Sequence, residues 1–472
     1  MDYRNALKKI ELYELLTKEY NLFNPYVYLS TGIDSYIAPD EALKHWRGFL
    51  SDKNEPFLSL YVHVPYCEKR KCLYCMYNSR IIESESELGK YVGYLAKEAS
   101  FFSGAFKNFH FKTMHIGGGS PTLLSEKLLK KLFSEINSNF SFTAGGSRTL
   151  EIKPTQVTDE QLAVAVSSGV NRISVGVQSL NPAALSNAGR DYADIDCLSR
   201  ITDRLRSLGV DAVNFDLIAG LPGDSVDGFR DSFEAISQLG PSTINVYFFR
   251  LENSRYGEEA RKNYITENSE DFAVRYLEAT VDAASRAGYT NYSSNPFLNS
   301  QLFVRKDFVC LIGNQPTEWH PEMRNSMIGL GVGARSFMEN AAETINFGPG
   351  GSAALGRVPN PLDPGFRFSD SVYRFSRREP ADRMRDFVLK AFYKTGNVSR
   401  SLFKTVFGLE IESVFRDEIE TLQNLGKLSV GDDSIEMLCD GFEKAVLSKF
   451  FYNQEELISV AKRPRGEIII ST

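Results

Sequence analysis

No run of apolar residues in this 472-residue chain approaches the roughly 20 needed to cross a bilayer. The opening Met1-Asp-Tyr-Arg-Asn-Ala-Leu-Lys-Lys9 also lacks the apolar stretch of a secretory signal, so a cytoplasmic location is the expectation. Cysteine is scarce, six in all, and Cys197, Cys310 and Cys439 stand singly and far apart. That spacing excludes a disulfide framework and fits reduced thiols. Strong charge of either sign is missing too: a net charge of −6 argues against a nucleic-acid partner, which wants a concentrated basic surface. Arg374, Arg377, Arg378, Arg383 and Arg385 are interrupted by Glu379 and Asp382, and with the tail Lys462-Arg-Pro-Arg465 they read as solvated surface. Internal repeats and low-complexity tracts are absent. With 42% hydrophobic and 24% charged residues, the chain has the composition of an ordinary globular protein long enough for about three domains.

The other three cysteines fall within nine residues, Cys67-Glu-Lys-Arg-Lys-Cys72-Leu-Tyr-Cys75, directly after the strand-like run Phe57–Val64. Three thiolates can hold three corners of a [4Fe–4S] cube and leave one iron open for chemistry, whereas electron-carrier clusters use four. A structural zinc site would recruit His63 as a fourth ligand. Against it, Tyr61, His63 and Pro65 share one face of the strand and Val62 and Val64 the other, which makes His63 an interior-facing side chain. A third reading, unrelated buried thiols, conflicts with the polarity of Glu68-Lys-Arg-Lys71.

Short apolar runs alternate with longer amphipathic ones, the pattern of parallel βα units. Strands are expected at Phe57–Val64, Thr113–Ile116, Thr149–Ile152, Arg172–Val175, Ala212–Leu217 and Thr243–Phe248. Helices are expected near 86–105, 124–138, 159–168, 198–208, 226–238 and 270–287. The fold class that follows is α/β: a partial six-stranded TIM-like barrel over 56–290, preceded by an N-terminal extension (1–55) with helical character at 3–18 and 40–50. In such barrels chemistry collects at the C-terminal strand ends, where the cysteine loop, the glycine triplet, Glu151, Gln178 and Gly220 to Pro222 all fall. Segment 291–370 includes a long connection, 338–366, carrying Gly348-Pro-Gly-Gly351 and Asn360-Pro-Leu-Asp-Pro-Gly365. It is expected to cover the active site as a loop. Residues 371–472, with helices near 380–395, 399–406 and 411–425 before a hairpin at Gly426-Lys-Leu-Ser-Val-Gly-Asp-Asp433, form a small helical C-terminal domain.

Six segments in order, Tyr61-Val-His-Val-Pro-Tyr-Cys67, Gly117-Gly-Gly-Ser-Pro-Thr122, Glu151-Ile-Lys-Pro154, Arg172-Ile-Ser-Val-Gly-Val-Gln-Ser179, Asp216-Leu-Ile-Ala-Gly-Leu-Pro-Gly223 and Gly329-Leu-Gly-Val-Gly-Ala-Arg-Ser336, carry a resemblance. Together they resemble the radical S-adenosylmethionine (SAM) enzymes and, more narrowly, the oxygen-independent coproporphyrinogen III oxidase family. One departure stands out: four residues separate Cys67 from Cys72 where the family has three, so the loop bulges around Glu68 to Lys71. One extra residue costs a flexible loop little closure entropy.

The resemblance implies a [4Fe–4S] cluster on Cys67, Cys72 and Cys75, a SAM on its open iron that is cleaved to a 5′-deoxyadenosyl radical, and an electron donor such as flavodoxin or ferredoxin. Tyr61, Gly118 and Glu151 match contacts of that SAM, and Tyr74, Gly119, Ser120, Gln178, Arg190 and Asp216 match contacts of a second SAM. Surface, turn and core roles remain alternatives for Glu151, for the triplet Gly117 to Gly119, and for Gln178 and Asp216. The C-terminal domain resembles the winged-helix-like unit that ends many family members.

Two specialised signatures are missing. The oxidases' further cysteine is replaced by Tyr77, after Met76, and the heme chaperones' His-Asn…Tyr-Trp signature by Trp319-His-Pro-Glu-Met-Arg-Asn-Ser326. That leaves the methyl- or methylene-transferring branch, in which the second SAM donates a carbon to an sp2 carbon of a small molecule, by methylation or cyclopropanation. The alternatives are a tetrapyrrole oxidoreductase and a heme-binding chaperone with His320 or His63 as ligand.

Overall fold

The computed structural model describes residues 6–11, 13, 34–51, 53, 56–75, 79–249, 255–257, 272–291, 300–306, 325–338, 342–349, 367–377, 379–439 and 441–452. A 13-stranded sheet organises them. All six expected strands are present, as Phe57–Val64, His110–Gly118, Ser141–Ile152, Arg172–Gln178, Ala212–Ala219 and Thr243–Phe248, each parallel to the next. A seventh parallel strand, Asn325–Leu330, lies on the outer side of Phe57–Val64.

Antiparallel strands extend both ends. Ser300–Arg305 and Tyr289–Asn291 follow Thr243–Phe248, while Arg335–Met338, Ala342–Pro349, Ser371–Arg377 and Asp34–Ile37 follow Asn325–Leu330. The expected long irregular connection over 338–366 is corrected here: Ala342–Pro349 is a strand, paired on both sides. Its remainder, 350–366, lies outside the described residues, as do Met76, Tyr77 and the segment Trp319 to Arg324.

The crossover helices are Glu85–Ser103, Glu126–Asn139, Asp159–Ser167, Ile195–Ser207, Val226–Gln238 and Phe272–Arg286, with a short extra helix at Pro182–Asn187. Their starts are written locally. Thr158 and Gln161 form a reciprocal capping box, Asp194 accepts the N–H of Cys197 at 2.8 Å, and Ser225 accepts that of Gly228 at 3.0 Å.

Phe57–Val64 shows what the parallel strands bury. Leu58, Leu60, Val62 and Val64 are fully buried in the apolar core between sheet and helices. The alternate set, Ser59, Tyr61 and His63, faces a polar interior, where Thr113 donates to Ser59 at 2.7 Å. Further round, Asn214 donates to Ser174 at 2.9 Å and accepts from Thr243 at 2.8 Å. The parallel strands therefore curve around a hydrogen-bonded polar lining.

Glu98, on Glu85–Ser103, joins the added strands to this body. It is fully buried and accepts 2.6 Å hydrogen bonds from the Gly331 N–H, the Asn346 amide and the Tyr373 hydroxyl. Two turns earlier the Tyr91 hydroxyl donates to the His63 carbonyl at 2.9 Å and accepts from the Val332 N–H at 3.0 Å.

A separate apolar core gathers Tyr13, Phe387, Phe392, Phe403, Phe415 and Phe451 with their neighbours. Its helices are Pro380–Thr395, Arg400–Phe407, Ile411–Val414 and Arg416–Asn424, the last two divided at Phe415. Ser434–Met437 is the middle strand of a three-stranded sheet between Asn397–Ser399 and Leu428–Val430, so the expected hairpin gains a third strand. No helix among the described residues is long and apolar enough to cross a membrane.

Candidate active site

The polar lining opens at the C-terminal ends of the parallel strands. Phe57–Val64 runs directly into the cysteine loop, whose start is fixed by a short parallel pairing of Tyr66–Cys67 with Arg80–Ile81. Cys67, Cys72 and Cys75 are half-buried thiols that form no disulfide. Burial pushes the Cys67 thiol up, a hydrogen bond with Ser79 opposes it, and Cys72, Lys71 and Lys153 lie close enough to act on it.

The extra residue is absorbed by contacts that tie the loop down. Glu68 accepts from the Gln156 amide at 2.7 Å, and Gln156 in turn accepts from the Ser120 hydroxyl at 2.7 Å. Arg70 faces Asp191 at 3.9 Å, and Lys153 holds the same carboxylate at 2.6 Å. The Leu73 N–H donates to the Ala188 carbonyl at 2.9 Å, and the Arg255 guanidinium donates to the Cys72 carbonyl.

Beside the loop, Tyr61 and His63 Nδ1 are hydrogen-bonded at 2.7 Å. His115 Nε2 donates to Glu151 Oε1 at 2.6 Å, and the Gly118 N–H donates to Oε2 at 3.2 Å. Glu151 is surrounded by protein yet keeps 37% of its side chain open to the barrel mouth. Burial alone pushes its carboxyl up, but His115, the Gly118 N–H and His63 outweigh it and hold Glu151 below the ordinary carboxylate value.

The glycine triplet has an internal reason. A Cβ on Gly117 would sit 2.6 Å from the Glu151 carboxyl, one on Gly118 would sit 2.8 Å from the His63 ring, and one on Gly119 would enter the Tyr66 backbone. Gly118 also has φ +115°, which only glycine adopts readily. Glycines here make room for the site's own side chains.

A second group of polar residues adjoins the first. Arg190 donates to the Gly176 carbonyl and reaches Cys72 Sγ at 3.8 Å, with the buried Tyr74 phenol beside it. A Cβ on Gly176 would lie 2.9 Å from Arg190 and 3.0 Å from the Gln178 amide. Gln178 has φ +74°, alone among the described non-glycine residues. Asp216 accepts from Ser174 at 2.7 Å and from Asn214 at 2.8 Å; burial raises its carboxyl and the Glu151 charge adds to that, against those two bonds.

Sequence reasoning missed His115, Gln156, Ser174 and Asn214. Alternation along strands whose neighbours were already marked would have shown all but Gln156, which follows its strand. His320 lies outside the described residues, and His63 is engaged with Tyr61.

The donor chemistry suits an iron–sulfur cube. Among the described residues no three His, Cys, Asp or Glu side chains gather closely enough to share one ion. A tetrahedral zinc needs its donors about 2.0–2.3 Å from one point. A cube instead spreads its thiolates over separate corners, and here they share one loop with Lys71, Lys153 and Arg190 nearby.

Residues 61–236 match the family described as the radical SAM superfamily. Residues 61–236 thus form a radical SAM domain, and that superfamily works with a [4Fe–4S] cluster and SAM. The chain's relatives are more particular. An oxygen-independent coproporphyrinogen III oxidase of Salmonella typhimurium is 23% identical over 389 residues, covering 80% of each chain. The heme chaperone HemW of Bacillus subtilis is 24% identical over 385 residues, covering 81% of this chain and 96% of the relative. The solved coproporphyrinogen III oxidase (HemN) of Escherichia coli superposes with a TM-score of 0.72 over 88% of this chain and 94% of its own, at 20% identity, and shows the shared fold.

Proposed function

We propose that the barrel mouth holds two SAM molecules and that the second donates a methyl or methylene carbon to an sp2 carbon of a small-molecule substrate. The observation that carries the two-site reading is that the two groups of polar residues adjoin. Cys72 touches Arg190, Arg190 adjoins Gly176 and Gln178, and Asp216 acts on Glu151, which is tied to Gly118. Cys67, Cys72 and Cys75 would hold the cluster; Tyr61, Gly118 and Glu151 the SAM on it; and Tyr74, Gly119, Ser120, Gln178, Arg190 and Asp216 the second SAM. When bound, the reduced cluster supplies cleavage of SAM to a 5′-deoxyadenosyl radical.

The residues of this chain orient and exclude. Glu151 offers a carboxylate to hydroxyl or ammonium groups, and the polar lining below it is already hydrogen-bonded within the protein, so it does not compete for the ligands. Ser120 gives its hydroxyl proton to Gln156 and lies 3.2 Å from the Thr122 hydroxyl, so toward a ligand it can act only as an acceptor. Lys69 and Arg70 are exposed, and with Lys71, Lys153 and Arg255 they outnumber Glu68 and Asp191 around the loop. An acidic one-electron carrier of the flavodoxin or ferredoxin kind suits that rim, in a reducing cytoplasm.

Carbon transfer rests on the two missing signatures. The relatives favour a second reading, oxidation of a tetrapyrrole, because they include coproporphyrinogen oxidases; heme carriage is the remaining alternative. Turnover with methyl-deuterated SAM separates the three. Carbon transfer leaves deuterium in the product and yields both 5′-deoxyadenosine and S-adenosylhomocysteine. Oxidation yields 5′-deoxyadenosine and methionine with no SAM-derived carbon in the product, and carriage gives stoichiometric heme binding with neither nucleoside.

A further inference from the structure

The glutamate at the mouth is held by a histidine that no motif includes. His115 lies on His110–Gly118, two residues before the glycine triplet, with its side chain only 10% exposed. Its Nε2–H meets Glu151 Oε1 at 2.6 Å while the Gly118 N–H meets Oε2 at 3.2 Å, so each carboxylate oxygen has one protein donor. A carboxylate has about four acceptor sites, which leaves two turned to whatever enters the mouth. Gly117 makes the arrangement possible, because any Cβ there would occupy the carboxyl's place.

The opposite edge of the ring sharpens the assignment. His115 Nδ1 is buried and has no hydrogen-bond partner among the described residues. The hydrogen-bonded edge of the ring is therefore Nε2, aimed at Glu151. A parallel pair lies on the neighbouring strand, where His63 fixes the Tyr61 hydroxyl at 2.7 Å.

We propose that His115 is a positioning residue that keeps the Glu151 carboxylate oriented and ionised as the acceptor for the hydroxyl or ammonium groups of bound SAM. The proposal rests on the radical SAM reading and deepens it. Besides His115, the charged or titratable groups facing Glu151 are His63 from Phe57–Val64 and Asp216 from Ala212–Ala219, the latter itself faced by Arg172. Without His115, His63 and the Gly118 N–H remain as stabilisers against burial and the negative charge of Asp216. Glu151 then takes up a proton as the pH falls, and an acceptor becomes a donor.

Equilibrium dialysis of SAM against anaerobically reconstituted wild type, His115→Gln and His115→Phe tests this, with iron content and melting temperature measured on the same preparations. Glutamine places an N–H where Nε2 was; phenylalanine keeps the ring and removes the donor. Wild type and His115→Gln should bind within about threefold of one another from about pH 8 to about pH 6. His115→Phe should bind about tenfold or more weakly, with the deficit widening as the pH falls, at unchanged iron content. His115→Met replaces the phenylalanine variant if that chain does not melt cooperatively. Equal affinity at every pH, or a uniform loss that glutamine does not rescue, overturns the positioning role. A wild type that loads iron but binds no SAM overturns the underlying reading and this proposal with it.

Discussion

Replacing Glu98 by glutamine removes the charge from the joint between the parallel strands and the added ones, and the structure fixes the sign of the effect. Burial pushes the Glu98 carboxyl from the ordinary 4.5 up to about 7, against hydrogen bonds from Tyr373, the Gly331 N–H and Asn346. The folded chain therefore binds this proton more tightly than the unfolded one. The corresponding stability is fully present below about pH 4.5 and is lost as the pH rises through about 7, an interval worth about 3 kcal/mol. Urea unfolding of wild type and Glu98→Gln at several pH values between those limits should show wild type losing about 3 kcal/mol relative to the variant as the pH rises. At the acid end glutamine should be the less stable by about 1–3 kcal/mol, because its amide turns an N–H toward one of the three donors. Glu98→Leu, which strands all three donors, should cost more at every pH. Parallel pH profiles for wild type and glutamine would refute a proton bound at this joint.

Gly118→Ala should cost about 2 kcal/mol or more and abolish SAM binding, since the new methyl would meet the His63 ring at 2.8 Å in a left-handed backbone; thermal melts and dialysis check both. Gln178→Gly should raise stability by about 1 kcal/mol by relieving φ +74° while lowering turnover through loss of the amide, a combination that a purely structural glutamine would not give. Charge reversal at the exposed Lys69 and Arg70 should slow reduction by an acidic flavodoxin more at low salt than at high salt and leave reduction by methyl viologen radical unchanged; equal slowing with both reductants would point to damage in the loop.

The parallel strands and their helices were legible because each is a local apolar run with its own period, and the residues expected at the C-terminal strand ends are placed there with them. The strands on the outer side were not. The segment from Gly329 carried a resemblance but no strand expectation, although Asn325–Leu330 pairs alongside Phe57–Val64, more than 260 residues earlier. Ala342–Pro349 was hidden by the Pro and Gly residues at its end, and its pairing with Ser371–Arg377 is visible only in space. Glu98 looks in sequence like one more polar residue on an amphipathic helix, because its partner Gly331 is 233 residues away. His115 escaped for a simpler reason: without Glu151 beside it, a lone histidine in a strand is only a polar side chain facing inward.

The cluster decides the account most directly. Anaerobic reconstitution with iron and sulfide, followed by reduction and addition of SAM, should give about four irons per chain and form 5′-deoxyadenosine. Cys67→Ala, Cys72→Ala and Cys75→Ala should each abolish that product. A chain that instead purifies with one tightly held zinc, shows no cluster absorption after reconstitution and leaves SAM intact would contradict the account.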